Sequence, residues 1–368
     1  MSASVAKILD EAIAAAQVQA ATLLVARDGE PLQHQAFGGG HGAARPRIDR
    51  IFDLASLTKV LATTSAVMML LDEGRLALET RVSDVLSSLA PTACGALTVA
   101  QLLEHSSGLP AWQPYFEMVH SEALASGAAR KRRVRGLVAR SALEAPPGAR
   151  VLYSDLGFIL LDWLVERTAR ARLDRVFSRR VAAPLGLSHA FFIDLDDSDA
   201  RTRARQRFSF APTERCPWRR RRLVAEVHDD NTHAMGGISG HAGLFGSAYD
   251  VHVIARELVA AYHGERSIFA RDVVRRFFDH RSRAPSGPSR ALGWDLVSPE
   301  RSSAGKRFGP RTVGHLGFTG TSLWIDLDAR LWVVLLTNRV YYGRDPNPMP
   351  RLRPRLHDAA LRAHGRRV

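Results

Sequence analysis

Lysine is almost missing from this chain. The 368 residues include 51 lysines and arginines, and of these only Lys7, Lys59, Lys131 and Lys306 are lysine. Cysteine is scarcer still: Cys94 and Cys216 are too few and too far apart for a disulfide framework or a zinc pattern. No apolar run reaches the length of a membrane span. The alanine-rich start, Met1 to Ala20, is interrupted by Lys7, Asp10, Glu11, Gln17 and Gln19, so it reads as an amphipathic helix and not as a signal peptide. These absences predict a cytoplasmic chain, or a periplasmic or secreted one if a precursor was trimmed.

The hydrophobic content of 46% is ample for one large domain or two intimate lobes. The net charge of +14 comes almost wholly from arginine. Two basic runs, Lys131-Arg132-Arg133-Val134-Arg135 and Arg219-Arg220-Arg221-Arg222, lack aromatic interleaving and any nucleic-acid motif. They read as solvated arginine-rich loops, with no specific nucleic-acid partner.

Against that composition, one lysine stands in an apolar helix. The run Ile51-Phe52-Asp53-Leu54-Ala55-Ser56-Leu57-Thr58-Lys59-Val60-Leu61 leads a strand-like segment into a buried helix ending near Gly74. Ser56 falls at the junction, where free backbone N–H groups and the helix dipole favour negative charge. Lys59 lies one turn further along the same face. Burial is expected to lower its pKa and make it a proton acceptor, a role closed to arginine. Ser56 and Lys59 thus form a nucleophile and base within one helical turn. The simpler reading is a helix-capping serine and a snorkelling lysine.

The remaining chain reads in order. Ala21–Arg27 and Leu32–Phe37 form a hairpin around Asp28-Gly29, and Gly38-Gly39-Gly40 breaks the pattern. Thr98 caps a short helix that runs to His105. Residues 115–145 are irregularly helical, Leu156–Arg170 is an amphipathic helix, and 195–230 is a long polar excursion. A glycine-rich stretch, Asp229–Gly246, precedes a helix over 249–262. Runs at 291–297, 318–326 and 331–338 read as strands, and 352–364 as a terminal helix.

Two further constellations carry chemistry. In Tyr153-Ser154-Asp155, a tyrosine beside a cation can hold its phenolate more easily and shuttle protons, while Asp155 in its plainest role caps a helix. In Gly314-His315-Leu316-Gly317-Phe318-Thr319-Gly320-Thr321, glycines let a ligand approach a strand closely, and His315 offers a titratable edge. His228, Asp229, Asp230, His233 and His241 cluster in sequence, but their spacings fit no standard metal motif and suit a cleft-lining loop.

Taken together, these segments resemble the serine β-lactamase and penicillin-binding-protein superfamily, in its class C β-lactamase, D,D-carboxypeptidase and esterase/amidase branch. Ser56-Leu57-Thr58-Lys59 resembles the S-x-x-K box, Tyr153-Ser154-Asp155 the Y-x-N box, and His315-Leu316-Gly317 the K-T-G or H-x-G box. Leu102-Leu103-Glu104-His105-Ser106-Ser107-Gly108-Leu109 and Gly240-His241-Ala242-Gly243-Leu244 resemble two further stretches of that branch. Asp155 departs from Asn and adds a negative charge beside Lys59. His315 departs from Lys and leaves only a partial cation for a substrate carboxylate.

The resemblance implies an α/β (α+β) fold. An antiparallel sheet flanked by helices would form one lobe from 1–60 and 235–368, with an inserted all-helical lobe over 61–234. It implies acyl transfer by Ser56, with Lys59 and Tyr153 handling the proton. The backbone N–H groups of Ser56 and Phe318 would hold the oxyanion. Asp155, His315, Gly317, Thr319 and His105 would contact the substrate. No metal or organic cofactor is expected, and the chain is read as a monomer acting on a small molecule or peptide. The departures fit an enzyme for esters, small amides or peptidoglycan-derived peptides, with weak or no β-lactamase activity. The alternative is a peptidoglycan or penicillin sensor that is acylated without turnover.

Overall fold

The computed structural model describes residues 3–39, 46–122, 124–298, 300 and 302–364; Met1, the start of the first predicted helix, and Gly40 of the glycine break lie outside them. Its centre is the strand Leu331–Thr337 (β11), apolar up to its last residue and buried throughout. Such a run suits a strand covered on both faces. β11 pairs antiparallel with Ala20–Arg27 (β1) on one side and Ser322–Asp326 (β10) on the other. Glu30–Gly38 (β2), Thr312–Leu316 (β9) and Asp295–Leu296 (β8) complete a six-stranded antiparallel sheet in the order β2-β1-β11-β10-β9-β8. The N-terminal hairpin therefore docks on strands some three hundred residues away.

Side chains alternate across this sheet as the pleat requires. Leu23, Val25, Trp324, Val333 and Leu335 face one cluster, with the helices Ala3–Ala14 and Met349–His364 packed on that side. Leu24, Leu323, Ile325, Trp332 and Val334 belong to a larger cluster that continues through the helix Ala248–His263 into the middle of the chain. The hairpin turn Asp28-Gly29 has positive φ at both residues, as a tight two-residue connection demands.

The middle of the chain holds the helices Val99–Leu103, Tyr115–Ser121, Gly127–Ala139 and Asp155–Ala169. It also carries short strands. Phe52–Asp53 (β3), Leu244–Gly246 (β7) and Ala190–Phe192 (β4) form a three-stranded sheet, and Arg215–Cys216 (β5) pairs with Arg221–Arg222 (β6). Thr98 caps its helix with a reciprocal capping box to Gln101.

Three expectations change. The run expected as one strand over 318–326 is a turn followed by β10, and β9 before it takes only Gly314, His315 and Leu316 of the glycine-rich stretch, where a Cβ at Gly314 would lie 2.2 Å from the Trp324 ring. Of 291–297, only Asp295–Leu296 is paired. The basic runs are not simply solvated loops. Lys131 and Arg135 are buried and share Asp162 and Glu166 at 2.7 to 3.0 Å, and Arg219 is buried against Asp230 at 2.6 Å. No described helix is long and apolar enough to cross a membrane.

Candidate active site

Ser56 stands on a strained junction. β3 ends at Asp53, and Ala55 then adopts φ of 48°, a left-handed conformation that costs a residue with a Cβ about 1 kcal/mol or more. The chain reverses there and enters a buried helix whose first turn, Lys59–Thr64, is π-helical and which continues to Asp72. Asp53 holds the junction. Its Oδ1 accepts the Ala55 N–H at 2.9 Å and its Oδ2 accepts the His228 N–H at 2.6 Å. One buried carboxylate thus fastens the nucleophile turn to the loop that carries Asp229.

The turn after β9 is pinned to the same place. Thr319 donates its hydroxyl to the Asp53 carbonyl at 2.8 Å, and Thr321 donates to the Leu54 carbonyl at 3.0 Å. Arg353, buried in the terminal helix, donates to the carbonyls of Gly317 and Thr321 at 2.7 and 2.8 Å. A Cβ at Gly317 would lie 2.7 Å from the Leu54 carbonyl and 1.9 Å from the Thr321 hydroxyl, so only glycine permits this approach. The approach sets the Gly317–Phe318 backbone beside the nucleophile turn. Among the described residues, neither the Ser56 nor the Phe318 N–H donates to a protein acceptor.

Lys59 has no solvent exposure. Its Nζ lies 3.0 Å from Ser56 Oγ, 3.0 Å from the His241 carbonyl and 2.7 Å from Asp155 Oδ1. These three acceptors match the three protons of an ammonium. Burial pulls its pKa down, but the Asp155 carboxylate and Tyr153 outweigh burial and hold it above the ordinary lysine value. The expected fall does not occur, and Lys59 rests as an ammonium. Tyr153 changes in the same sense. Its hydroxyl interacts with both Ser56 and Lys59, and the Lys59 charge favours the phenolate, yet burial prevails and the phenol is held protonated. Lys59 Nζ lies 5.0 Å from the Tyr153 ring centre.

Asp155 is the first residue of the helix Asp155–Ala169, while its cap is Ser154, which accepts the Gly157 N–H. That leaves the Asp155 carboxylate for Lys59. Asp229 and His241 join it, with ligating atoms of the three residues all within 4.8 Å of one another. His241 Nε2 lies 2.9 Å from Asp229 Oδ1, and Ser239 holds the opposite ring nitrogen at 2.9 Å. Of the residues clustered near 230 in sequence, His241 and Asp229 reach the cleft. His233 and Asp230 face away from it, His233 toward Glu226 and Asp230 toward Arg219 and Arg344.

His315 departs from expectation. It is buried, and its Nδ1 lies 2.8 Å from the Leu316 carbonyl. Burial pushes its pKa down to about 4, and Arg290 and Lys59 add to that against the pull of Asp295. At neutral pH it carries no charge for a substrate carboxylate. His105 has φ of 58°, is buried, and accepts the Ser154 N–H on Nδ1 at 3.0 Å, with its ring 4.6 Å from that of Tyr153. It is a shelf beneath Tyr153, and Thr319 is likewise spent on the backbone. Arg290 had no motif to announce it. It pairs with Asp295, and its guanidinium lies 5.4 Å from the Tyr153 ring.

A family model described as Beta-lactamase matches residues 5–356. A relative from Escherichia coli (strain K12), named "Putative D-alanyl-D-alanine carboxypeptidase", is 27% identical over 359 residues, covering 90% of this chain and 81% of its own. Among solved structures, EstCE1, "a hydrolase with promiscuous acyltransferase activity", superposes with a TM-score of 0.72 at 21% identity, over 97% of both chains. The octameric penicillin-binding protein homologue from Pyrococcus abyssi does so with a TM-score of 0.73 at 19% identity, over 98% of this chain and 77% of its own. A family VIII carboxylesterase gives 0.70 at 20% identity, over 98% of this chain and 97% of its own.

Proposed function

The chain belongs to the β-lactamase family and is a serine hydrolase, and from that premise we propose that it cleaves an ester or amide through an acyl-enzyme on Ser56. The observation that carries this reading is the Lys59 ammonium, 3.0 Å from Ser56 Oγ and 2.7 Å from Asp155. With Lys59 and Tyr153 both protonated at rest, Asp155 supplies the proton-accepting capacity. As Ser56 Oγ attacks the carbonyl carbon, its proton passes to Lys59 Nζ while Lys59 gives one proton to Asp155 Oδ1. The oxyanion is held by the Ser56 and Phe318 N–H groups. Tyr153, a protonated phenol, donates to the leaving group as the tetrahedral intermediate collapses. The proton on Asp155 then returns through Lys59 to Tyr153. Water repeats the sequence on the acyl-enzyme.

The substrate class follows from charge. Two carboxylates, Asp155 and Asp229, line the cleft, and His315 is neutral where a carboxylate-binding cation would be needed. This favours a scissile group with no anion beside it, a small ester, a D-amino-acid amide or an internal amide of a peptidoglycan-derived peptide, over a β-lactam. The hydrolase and carboxylesterase neighbours support the ester end of that range, while the relative named as a carboxypeptidase supports cleavage of a peptide amide. The cleft lies where we place the boundary between the α/β lobe, 1–60 and 235–368, and the insert, 61–234. The test is fluorophosphonate labelling with peptide mapping, beside turnover of p-nitrophenyl esters, D-amino-acid amides, muropeptides and a chromogenic cephalosporin. Label on Ser56, with steady turnover abolished by Ser56→Ala, is expected. Label elsewhere, or an active alanine variant, refutes the assignment. A single stoichiometric burst would instead mark an acylated sensor.

A further inference from the structure

A second cavity, of about 930 Å³, shares a wall with the cleft. Asp229 faces the cleft, and Asp230, the next residue, lines the cavity. His228 stacks on Phe318 at 5.5 Å on the cleft side and pairs at 3.2 Å with Glu214 on the cavity side. Phe116, Trp218, Tyr341 and Tyr342 give the cavity aromatic walls.

Arg215, Arg222 and Arg344 balance Glu117, Glu214 and Asp230 in number along its walls, but they do not pair one to one. Arg344 takes Glu214 and Asp230, and Arg219 also takes Asp230. Arg221 takes Glu226. Arg222 is left with no carboxylate among the described residues. Its guanidinium is nonetheless held still. It donates to the carbonyls of Thr213 and Tyr341 and lies 4.0 Å from the Tyr341 ring centre. Directly across the β5–β6 ribbon stands Arg215, which likewise has no described acidic partner. Like charges placed opposite each other on paired strands work against the pairing. Here both line the same cavity. Glu117 and His120 lie on the opposite rim, on the helix Tyr115–Ser121, and no described ion pair joins Glu117 to either arginine.

We propose that this cavity is a substrate subsite, in which Arg222, with Arg215, binds a carboxylate at the end of an apolar arm of the ester or amide cleaved at Ser56. The aromatic walls take the arm, and the fixed guanidinium fork takes the carboxylate. The anion is thus read beyond Phe318 and His228, away from the neutral His315. The inference rests on Ser56 being the nucleophile.

The experiment compares matched esters differing only in a terminal carboxylate. On the acyl side these are p-nitrophenyl octanoate and the p-nitrophenyl half-ester of suberic acid. On the leaving-group side they are phenyl acetate and 4-acetoxybenzoate. In at least one pair the anionic ester should be preferred by about tenfold in kcat/KM, mostly through KM, with the ratio falling as salt is raised. Arg222→Gln should bring that ratio close to one, and Arg222→Lys should restore part of it. Circular dichroism and the thermal midpoint establish that each variant is folded, and Arg215→Gln gives a second measure should Arg222→Gln unfold. Ratios near one in both pairs of the wild type, or ratios unchanged in the folded variants, overturn the subsite. Hydrolysis of the neutral esters keeps that outcome distinct from failure of the serine-hydrolase reading, in which no ester is turned over and Ser56 takes no label.

Discussion

Asp155→Asn isolates the charge on which Lys59 depends. The amide is nearly the shape of the carboxylate and can still accept a hydrogen bond at the same place, so what is lost is the negative charge. At 2.7 Å and an effective dielectric of about 20, the Lys59–Asp155 attraction amounts to about 6 kcal/mol, trimmed by solvent at the partly exposed Asp155. Removing one partner of a buried pair typically costs about 3–5 kcal/mol. Lysine has an escape, because without Asp155 burial favours its neutral form. From an ordinary pKa of 10.5, shedding the proton costs about 4.8 kcal/mol at pH 7 and about 2.0 kcal/mol at pH 9.

The sign of the pH dependence follows. In the wild type Lys59 has a raised pKa, so its contribution is complete below the unfolded lysine value and is lost only as pH climbs through the folded one. In the variant the folded Lys59 comes to shed its proton as pH rises from about 7 to about 9, while the unfolded chain keeps one there. Stability of the variant should therefore rise by up to about 1.4 kcal/mol per pH unit from this group, while the wild type gains nothing from it. Urea unfolding at pH 7 and pH 9 should show the wild-type advantage shrinking by about 1–2.5 kcal/mol. Parallel stabilities at the two pH values, or a loss under about 1 kcal/mol at pH 7, would refute the ion pair as described. In activity, the same variant should lose turnover at pH 7 if Asp155 is the final proton acceptor. A gain there would show instead that a neutral Lys59 is the better base.

Two further outcomes follow from the same site. Lys59→Arg keeps the charge but cannot pass a proton, so kcat should fall by about 10²–10⁴, near the loss in Lys59→Ala; more than a tenth of wild-type kcat would mean that Lys59 acts by charge alone. His315, with its pKa pushed down to about 4, binds its proton less well folded than unfolded, so the protein should lose about 3 kcal/mol through this group between pH 7 and pH 4. Urea titrations of wild type and His315→Gln should differ in slope over that window by about one proton, and equal slopes would show that the imidazole titrates normally.

What could be read in the sequence was local. The Ser56–Lys59 turn, the Thr98 cap, the Asp28-Gly29 hairpin and the long central helix each follow from residues a few positions apart. Their outcome is set by helical period, capping chemistry and turn geometry. The protonation states of Lys59, Tyr153 and His315 were not local. Each depends on how deeply the folded chain buries a side chain and on which charge arrives from elsewhere. For Lys59 that charge comes from 96 positions along the chain, and nothing in Ser56-Leu57-Thr58-Lys59 indicates it.

The strongest positioning contacts were invisible for the same reason. Asp53 stood in the same segment as Ser56, but its partner, the His228 N–H, is 175 residues away. Arg353, 36 residues beyond Gly317, read only as one more arginine in a terminal helix rich in them. A backbone N–H or carbonyl has no residue type, so its partner leaves no pattern to search for. The asymmetry also explains why sparse lysine was a better guide than abundant arginine. Six of the eight buried lysines and arginines described are arginines, and most of these are fixed by carboxylates or carbonyls, a task suited to a guanidinium that never releases its proton. Two lysines are buried, and they divide the roles. Lys131 lies between Asp162 and Glu166, far in sequence from any serine motif, and serves packing. Lys59 meets one carboxylate, one carbonyl and the nucleophile, and only the last of these gives the site a reason to require a proton that can leave.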